Sequence, residues 1–109
     1  MKTSSLLLAA FAAAALHGAA LADDKLVRDK QCLGCHAIKE DGAAPSFHKI
    51  AGFWKGRKDA EVMMVATIRK GSTATGGPHW NKATMPDQAE RPLVSEAEAK
   101  QIARWILRQ

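Results

Sequence analysis

The run Cys32-Leu33-Gly34-Cys35-His36 constrains this chain more than any other stretch. Two cysteines separated by two residues and followed at once by histidine form the pattern of covalent haem attachment, in which the thiols add to the porphyrin vinyl groups and the histidine ligates the iron. The spacing has a mechanical basis. One turn of chain brings both sulfurs to a single porphyrin edge, and the next residue then falls beneath the metal. Other readings exist for the same cysteines. A redox dithiol of the thioredoxin kind needs a βαβ setting, and no alternating strand pattern flanks this run. A zinc site needs about four ligands, usually with a second Cys or His pair, and the only histidines downstream are His48 and His79. A disulfide across two residues is strained and closes almost no loop. Haem attachment uses both thiols and leaves none over.

The chain opens with Lys2, an apolar run from Leu6 to Leu16, and Ala20-Leu21-Ala22. This is the pattern of a signal peptide over residues 1–22, with a small-residue cleavage site and an apolar run too short to span a bilayer; an uncleaved anchor is the other reading. Cleavage there puts Asp23 first, which is no site for a lipid anchor. It removes 22 of 109 residues and leaves 87, one domain over residues 23–109. A chain of that size hides only about 60 % of its unfolded surface and gains from a staple. Covalent haem would be that staple, and it also accounts for two cysteines in an oxidising compartment, where unpaired thiols are unusual.

Sixteen Lys and Arg stand against eleven Asp and Glu, and loss of Lys2 leaves a formal +4. Two propionates would bring that nearer to +2. The positive residues are spread along the chain, which fits either steering toward acidic protein surfaces or an ordinary solvated surface. No long basic run is present, so nucleic acid is not indicated.

The mature stretch reads as helical throughout. Asp23 or Asp24 caps a first helix running to about Gln31, with Leu26 and Val27 facing inward. Pro45 opens a second, in which Phe47, Ile50, Ala51 and Trp54 recur with helical period. Asp59 caps a third, which carries Val62, Met63, Met64, Val65 and Ile68 and stops at Gly71. A fourth begins at the capping box Ser95-Glu96-Ala97-Glu98, with Ala99, Ile102, Ala103 and Ile106 as its apolar stripe and Trp105 beside it. From Gly71 to Val94 no period is visible, and a loop that long in a small domain is usually functional.

That loop contains Met85-Pro86. A residue before proline is pushed away from α geometry, so Met85 projects from extended chain. Its thioether is a soft neutral ligand able to close the second axial position of a haem iron opposite histidine. Met63 and Met64 compete for that position but fall in a helical pattern where methionine fills core. His48 or His79 would give a bis-histidine haem, and an empty sixth position a gas-binding one.

Taken together, Cys32-Leu-Gly-Cys-His-Ala-Ile38, Pro45-Ser-Phe-His-Lys-Ile-Ala51, Ile68-Arg-Lys-Gly-Ser72, Gly77-Pro78, Met85-Pro86 and Ala103-Arg-Trp-Ile-Leu107 resemble, in order, a class I bacterial cytochrome c, nearest the small c-551/c-552 group. The resemblance spans most of Asp23 to Gln109. It implies an all-α class I cytochrome c fold of about four short helices around one haem c, bound through two thioether links at Cys32 and Cys35, with His36 and Met85 on the iron. It further implies crossed first and last helices that bring Leu26 and Val27 against Trp105. It also implies a Pro45 carbonyl that accepts the His36 ring N–H. For Trp80 it implies an indole donor to a propionate, with packing as the other reading. The chain departs from the family pattern at Ala44, where glycine is usual, in the extra stretch His79 to Thr84, at Asp87, where a second proline is common, and in Gln88 to Pro92, which lengthens the approach to the last helix.

The function implied is one-electron transfer between redox proteins of the periplasm, without catalysis. The expected protein is a monomer with no membrane span once processed. Its partners are transient, acidic at the contact, and steered by lysines such as Lys39 and Lys82. Two other classes stay open: a haem subunit of a periplasmic oxidoreductase complex, and a gas-binding haem protein if Met85 is not a ligand.

Overall fold

Four α-helices and two 3₁₀ turns follow one another along the described chain, with no run of β-strand among them. The computed structural model describes residues 24–77 and 83–109. The expected signal peptide over residues 1–22, the candidate cap Asp23, and Pro78, His79, Trp80 and Lys82 therefore lie outside the described residues.

Helix α1 spans Asp24–Asp29, with Asp24 at its positive end and Arg28 in its last turn, an arrangement that complements the helix dipole. It ends two residues before the expected Gln31. Gln31 itself sits at φ 60°, ψ 24° in the left-handed region, the one described non-glycine residue with positive φ. The chain then turns directly into a 3₁₀ turn at Cys32–Gly34.

Helix α2 spans Phe47–Trp54 and is capped by Ser46, whose hydroxyl accepts from the Lys49 amide at 3.1 Å. Pro45 therefore precedes the cap and does not occupy the first helical position. The expected stripe is buried at Phe47, Ala51 and Trp54, with Ile50 packed at its margin. Helix α3 spans Ala60–Lys70. Asp59 holds its cap position without a side-chain bond to the helix, and its carboxylate lies 3.5 Å from Arg57 Nε. Met64 and Ile68 face inward, while Val62 is 72 % exposed. Gly71 ends the helix at φ 84°, and a second 3₁₀ turn, Ser72–Thr75, follows. Four residues are too few to show a period, so the sequence hid this turn.

Helix α4, Glu96–Leu107, is the axle of the molecule. Its capping box is closed in both directions: Ser95 Oγ accepts from the Glu98 amide and a Glu98 carboxylate oxygen accepts from the Ser95 amide. It touches α1, α2 and α3. Ala99 and Ala103 are both fully enclosed (0 % exposed), and such small residues let neighbouring backbones approach. Around them Val27, Phe47, Trp54, Met64, Ile68, Val94, Ile102, Trp105 and Ile106 form one apolar cluster. The first and last helices meet as expected, and the Trp105 indole N–H donates to Asp24 Oδ1 at 3.1 Å to fasten the contact.

Candidate haem site

Cys32 opens the first 3₁₀ turn and Cys35 closes it, with the Cys35 and His36 amides both donating to the Cys32 carbonyl at 3.4 and 3.0 Å. One tight turn thus presents both thiols and the imidazole in sequence. Neither thiol is in a disulfide; Cys32 is half-buried and Cys35 exposed. A Cβ added at Gly34 would meet nothing within 4 Å, so the chain between the thiols keeps open space on that side. Burial pushes the Cys32 thiol up, partly offset by the positive charge of Arg91.

The His36 ring is fixed from two directions. Its Nδ1 lies 2.7 Å from the Pro45 carbonyl oxygen. A carbonyl only accepts, so Nδ1 carries the proton and Nε2 keeps its lone pair. Burial, the main influence, holds the imidazole below its ordinary pKa, with the Pro45 bond opposing and Arg91 adding to the effect. A neutral ring with a free Nε2 is the form that binds metal. Phe47 stacks on this ring at 5.1 Å and meets Trp105 edge-on at 5.1 Å, so the imidazole rests through one aromatic on the α4 core. Ser46, next to Pro45, is held in turn by Asp41, whose Oδ1 accepts from the Ser46 amide at 2.8 Å while Lys49 reaches Oδ2 at 2.9 Å.

Met85 is half-buried in chain with no regular secondary structure. Its backbone is gripped on both sides by one residue: the Met85 amide donates to Ser72 Oγ at 2.9 Å and the Ser72 amide donates to the Met85 carbonyl at 3.1 Å. Gly71 makes this approach possible, since a Cβ there would lie 2.6 Å from the Met85 carbonyl oxygen. Sequence reasoning assigned Ser72 no role, although it lies within a stretch that matches the family pattern; a lone serine after a helix-ending glycine carries no signal of what it binds. Arg91 was missed too. Its Nε donates to the Pro86 carbonyl at 2.8 Å and its Nη2 to the Ile68 carbonyl at 2.5 Å, and its charge acts on Cys32 and His36. The attachment turn and the methionine loop therefore border one region.

Of the competing ligands, His79 lies outside the described residues. Met64 is core and Met63 packs against it within α3, and His48 lies on α2 with its side chain exposed. Among the described residues no group of three or more His, Cys, Asp or Glu is assembled that could hold a metal ion. The donor set present is two unpaired thiols one turn apart, a neutral imidazole with its Nε2 available, and a thioether on an anchored loop. That set fits a covalently attached iron porphyrin.

Comparison with known proteins points the same way. The family model described as Cytochrome c matches residues 18–109. Cytochrome c-552 of Hydrogenobacter thermophilus is 36 % identical over 92 residues, covering 84 % of this chain and 86 % of the relative. Cytochrome c-551 of Pseudomonas aeruginosa is 33 % identical over 84 residues, covering 77 % of this chain and 73 % of the relative. The crystal structure of wild-type Nitrosomonas europaea cytochrome c552 superposes with a TM-score of 0.68 at 29 % identity, covering 78 % of this chain and 96 % of that one.

Proposed function

The chain belongs to the cytochrome c family, as a class I c-type cytochrome of the c-551/c-552 group, and from that premise we propose that it is a periplasmic one-electron carrier whose iron is held by His36 and Met85. Its cofactor is one covalently attached haem c. Haem supplies the chemistry, a change of iron oxidation state by one electron. Cys32 and Cys35 attach the group, and His36 offers Nε2 to the metal. The observation that carries this reading is the Nδ1 contact with the Pro45 carbonyl at 2.7 Å, because it fixes both the tautomer and the direction of the ring and strengthens the imidazole as a donor.

Met85 would hold the iron alongside His36, from a loop that Ser72 fastens to the end of α3. With His36 and Met85 both holding the metal, no place would be left on it for a substrate, so the protein would carry electrons and catalyse nothing itself. Leu33 and Ile38, each 39 % exposed, flank the thiols and offer an apolar contact surface beside Lys39. Acidic redox partners dock there transiently. Residues 1–22 act as the export signal, and among the described residues no helix is long and apolar enough to cross a membrane.

A potentiometric titration of the purified holoprotein, followed optically, tests the reading. A single one-electron step is expected, with the band near the red end of the visible spectrum that reports sulfur-to-ferric-iron ligation present in the oxidised arm. A ferric spectrum without that band would remove Met85 from the iron.

A further inference from the structure

We propose that Arg91 is the positioning residue of the ligand loop, clamping the Met85-Pro86 segment to the C-terminal end of α3 so that the thioether stays on the iron. The inference rests on the reading of Met85 as the axial ligand. The last four carbonyls of a helix have no partner inside it, and Ile68 contributes one of them in α3. The amide that would come next, that of Ser72, is taken by the Met85 carbonyl. Arg91 Nη2 fills the vacant role on the Ile68 carbonyl, and its Nε binds the Pro86 carbonyl, one residue from the ligand.

A planar guanidinium presents its donors in a fixed fork and so holds two carbonyls at a set separation. A lysine ammonium carries the same charge but not that fork. The charge is also well placed, at the negative end of the α3 dipole.

The clamp needs a firm base, and the stretch that lengthens the chain relative to the family pattern supplies it. Asp87 Oδ1 accepts from the Ala89 amide at 2.8 Å, and the Gln88 side chain accepts from the Val94 amide. Arg69 Nε reaches the Val94 carbonyl at 3.3 Å and Lys30 Nζ the Leu93 carbonyl at 2.8 Å. Gln88 to Pro92 is thus a tied turn that presents the Arg91 fork. Ser72 fixes the ligand residue and Arg91 fixes its successor. Together they hold Met85 by the backbone on either side of its side chain.

Imidazole competes with a thioether for ferric iron, so its affinity measures how firmly the loop holds the sulfur. Ferric holoprotein is titrated with imidazole, following loss of the red-end band, in the wild type, Arg91→Lys and Arg91→Gln, with denaturant unfolding of the same three proteins in parallel. Loss of the fork is expected to raise imidazole affinity by about tenfold in Arg91→Lys, the order expected for charge-assisted hydrogen bonds that ordinary solvation only partly replaces. The shift should exceed any change in the unfolding midpoint, since a merely structural role would move unfolding and leave the competition alone. Equal affinity in Arg91→Lys and the wild type overturns the clamp, whatever Arg91→Gln does. A wild type that lacks the band at the outset overturns the ligand reading instead, and the two failures are told apart in the first spectrum.

Discussion

His36 shows how one side chain is prepared for a metal before any metal is considered. Its proton is placed by a carbonyl that cannot donate, its charge is suppressed by burial, and its plane is set by Phe47, which is 1 % exposed and leans on Trp105. Removing that pillar should be costly. Phe47→Ala is predicted to lower holoprotein stability by about 3–5 kcal/mol, the usual range for emptying a buried phenylalanine site, measured by denaturant unfolding. A loss below about 1 kcal/mol would mean the cavity collapses without disturbing the ring. Some of this was readable in advance: a thiol pair with an adjacent histidine has few chemical uses, and a methionine before proline cannot sit comfortably in a helix. Ser72 and Arg91 were not readable, because each acts on backbone carbonyls or amides from a distance in sequence, 13 residues from Ser72 to Met85 and 23 from Arg91 to Ile68, and backbone partners leave no mark on composition.

At the scale of elements, helix ends matter more here than helix bodies. The end of α3 is built on Gly71, which combines φ 84° with a Cβ direction that points 2.6 Å from the Met85 carbonyl oxygen. Gly71→Ala should therefore cost at least about 1–3 kcal/mol in backbone strain alone and weaken the red-end band by displacing the ligand loop; an unchanged band and midpoint would contradict the close approach. The start of α4 makes a prediction in pH. Glu98 is held below its ordinary pKa chiefly by the Ser95 amide and then by Lys30, and Asp41 likewise by the Ser46 amide and Lys49. A carboxyl whose folded pKa is depressed adds stability that is complete above its unfolded pKa and is lost as pH falls through the folded one. Stability should thus decline on the acid side of the usual carboxylate range, and Glu98→Gln, which keeps a capping-box side chain without the titration, should show a shallower decline in acid unfolding. Identical acid limbs in the two proteins would contradict this. The capping box and the α4 stripe were legible because caps and periods are local. The early end of α1 was not, since it depends on Gln31 taking a left-handed conformation as the chain turns into the attachment site.

At the scale of the whole molecule, α4 gathers the other three helices, and the two functional segments hang from that frame. The CxxCH turn leans on it through Phe47 and Trp105, and the methionine loop through Ser72 and Arg91 at the end of α3. On the proposed ligation, a frame that fixes the His36 ring through Pro45 and Phe47 and Met85 through its backbone would change little between oxidation states, which would suit fast electron exchange. The sequence carries five more positive than negative side chains, so the rate of exchange with an acidic redox partner should fall steeply as ionic strength rises; a flat dependence, measured by stopped-flow, would contradict electrostatic steering. The central claim is that His36 and Met85 close both faces of the iron. It is tested most directly by the visible spectrum of the reduced holoprotein before and after addition of carbon monoxide: the account predicts two superimposable spectra, and a shifted, gas-bound spectrum would contradict it.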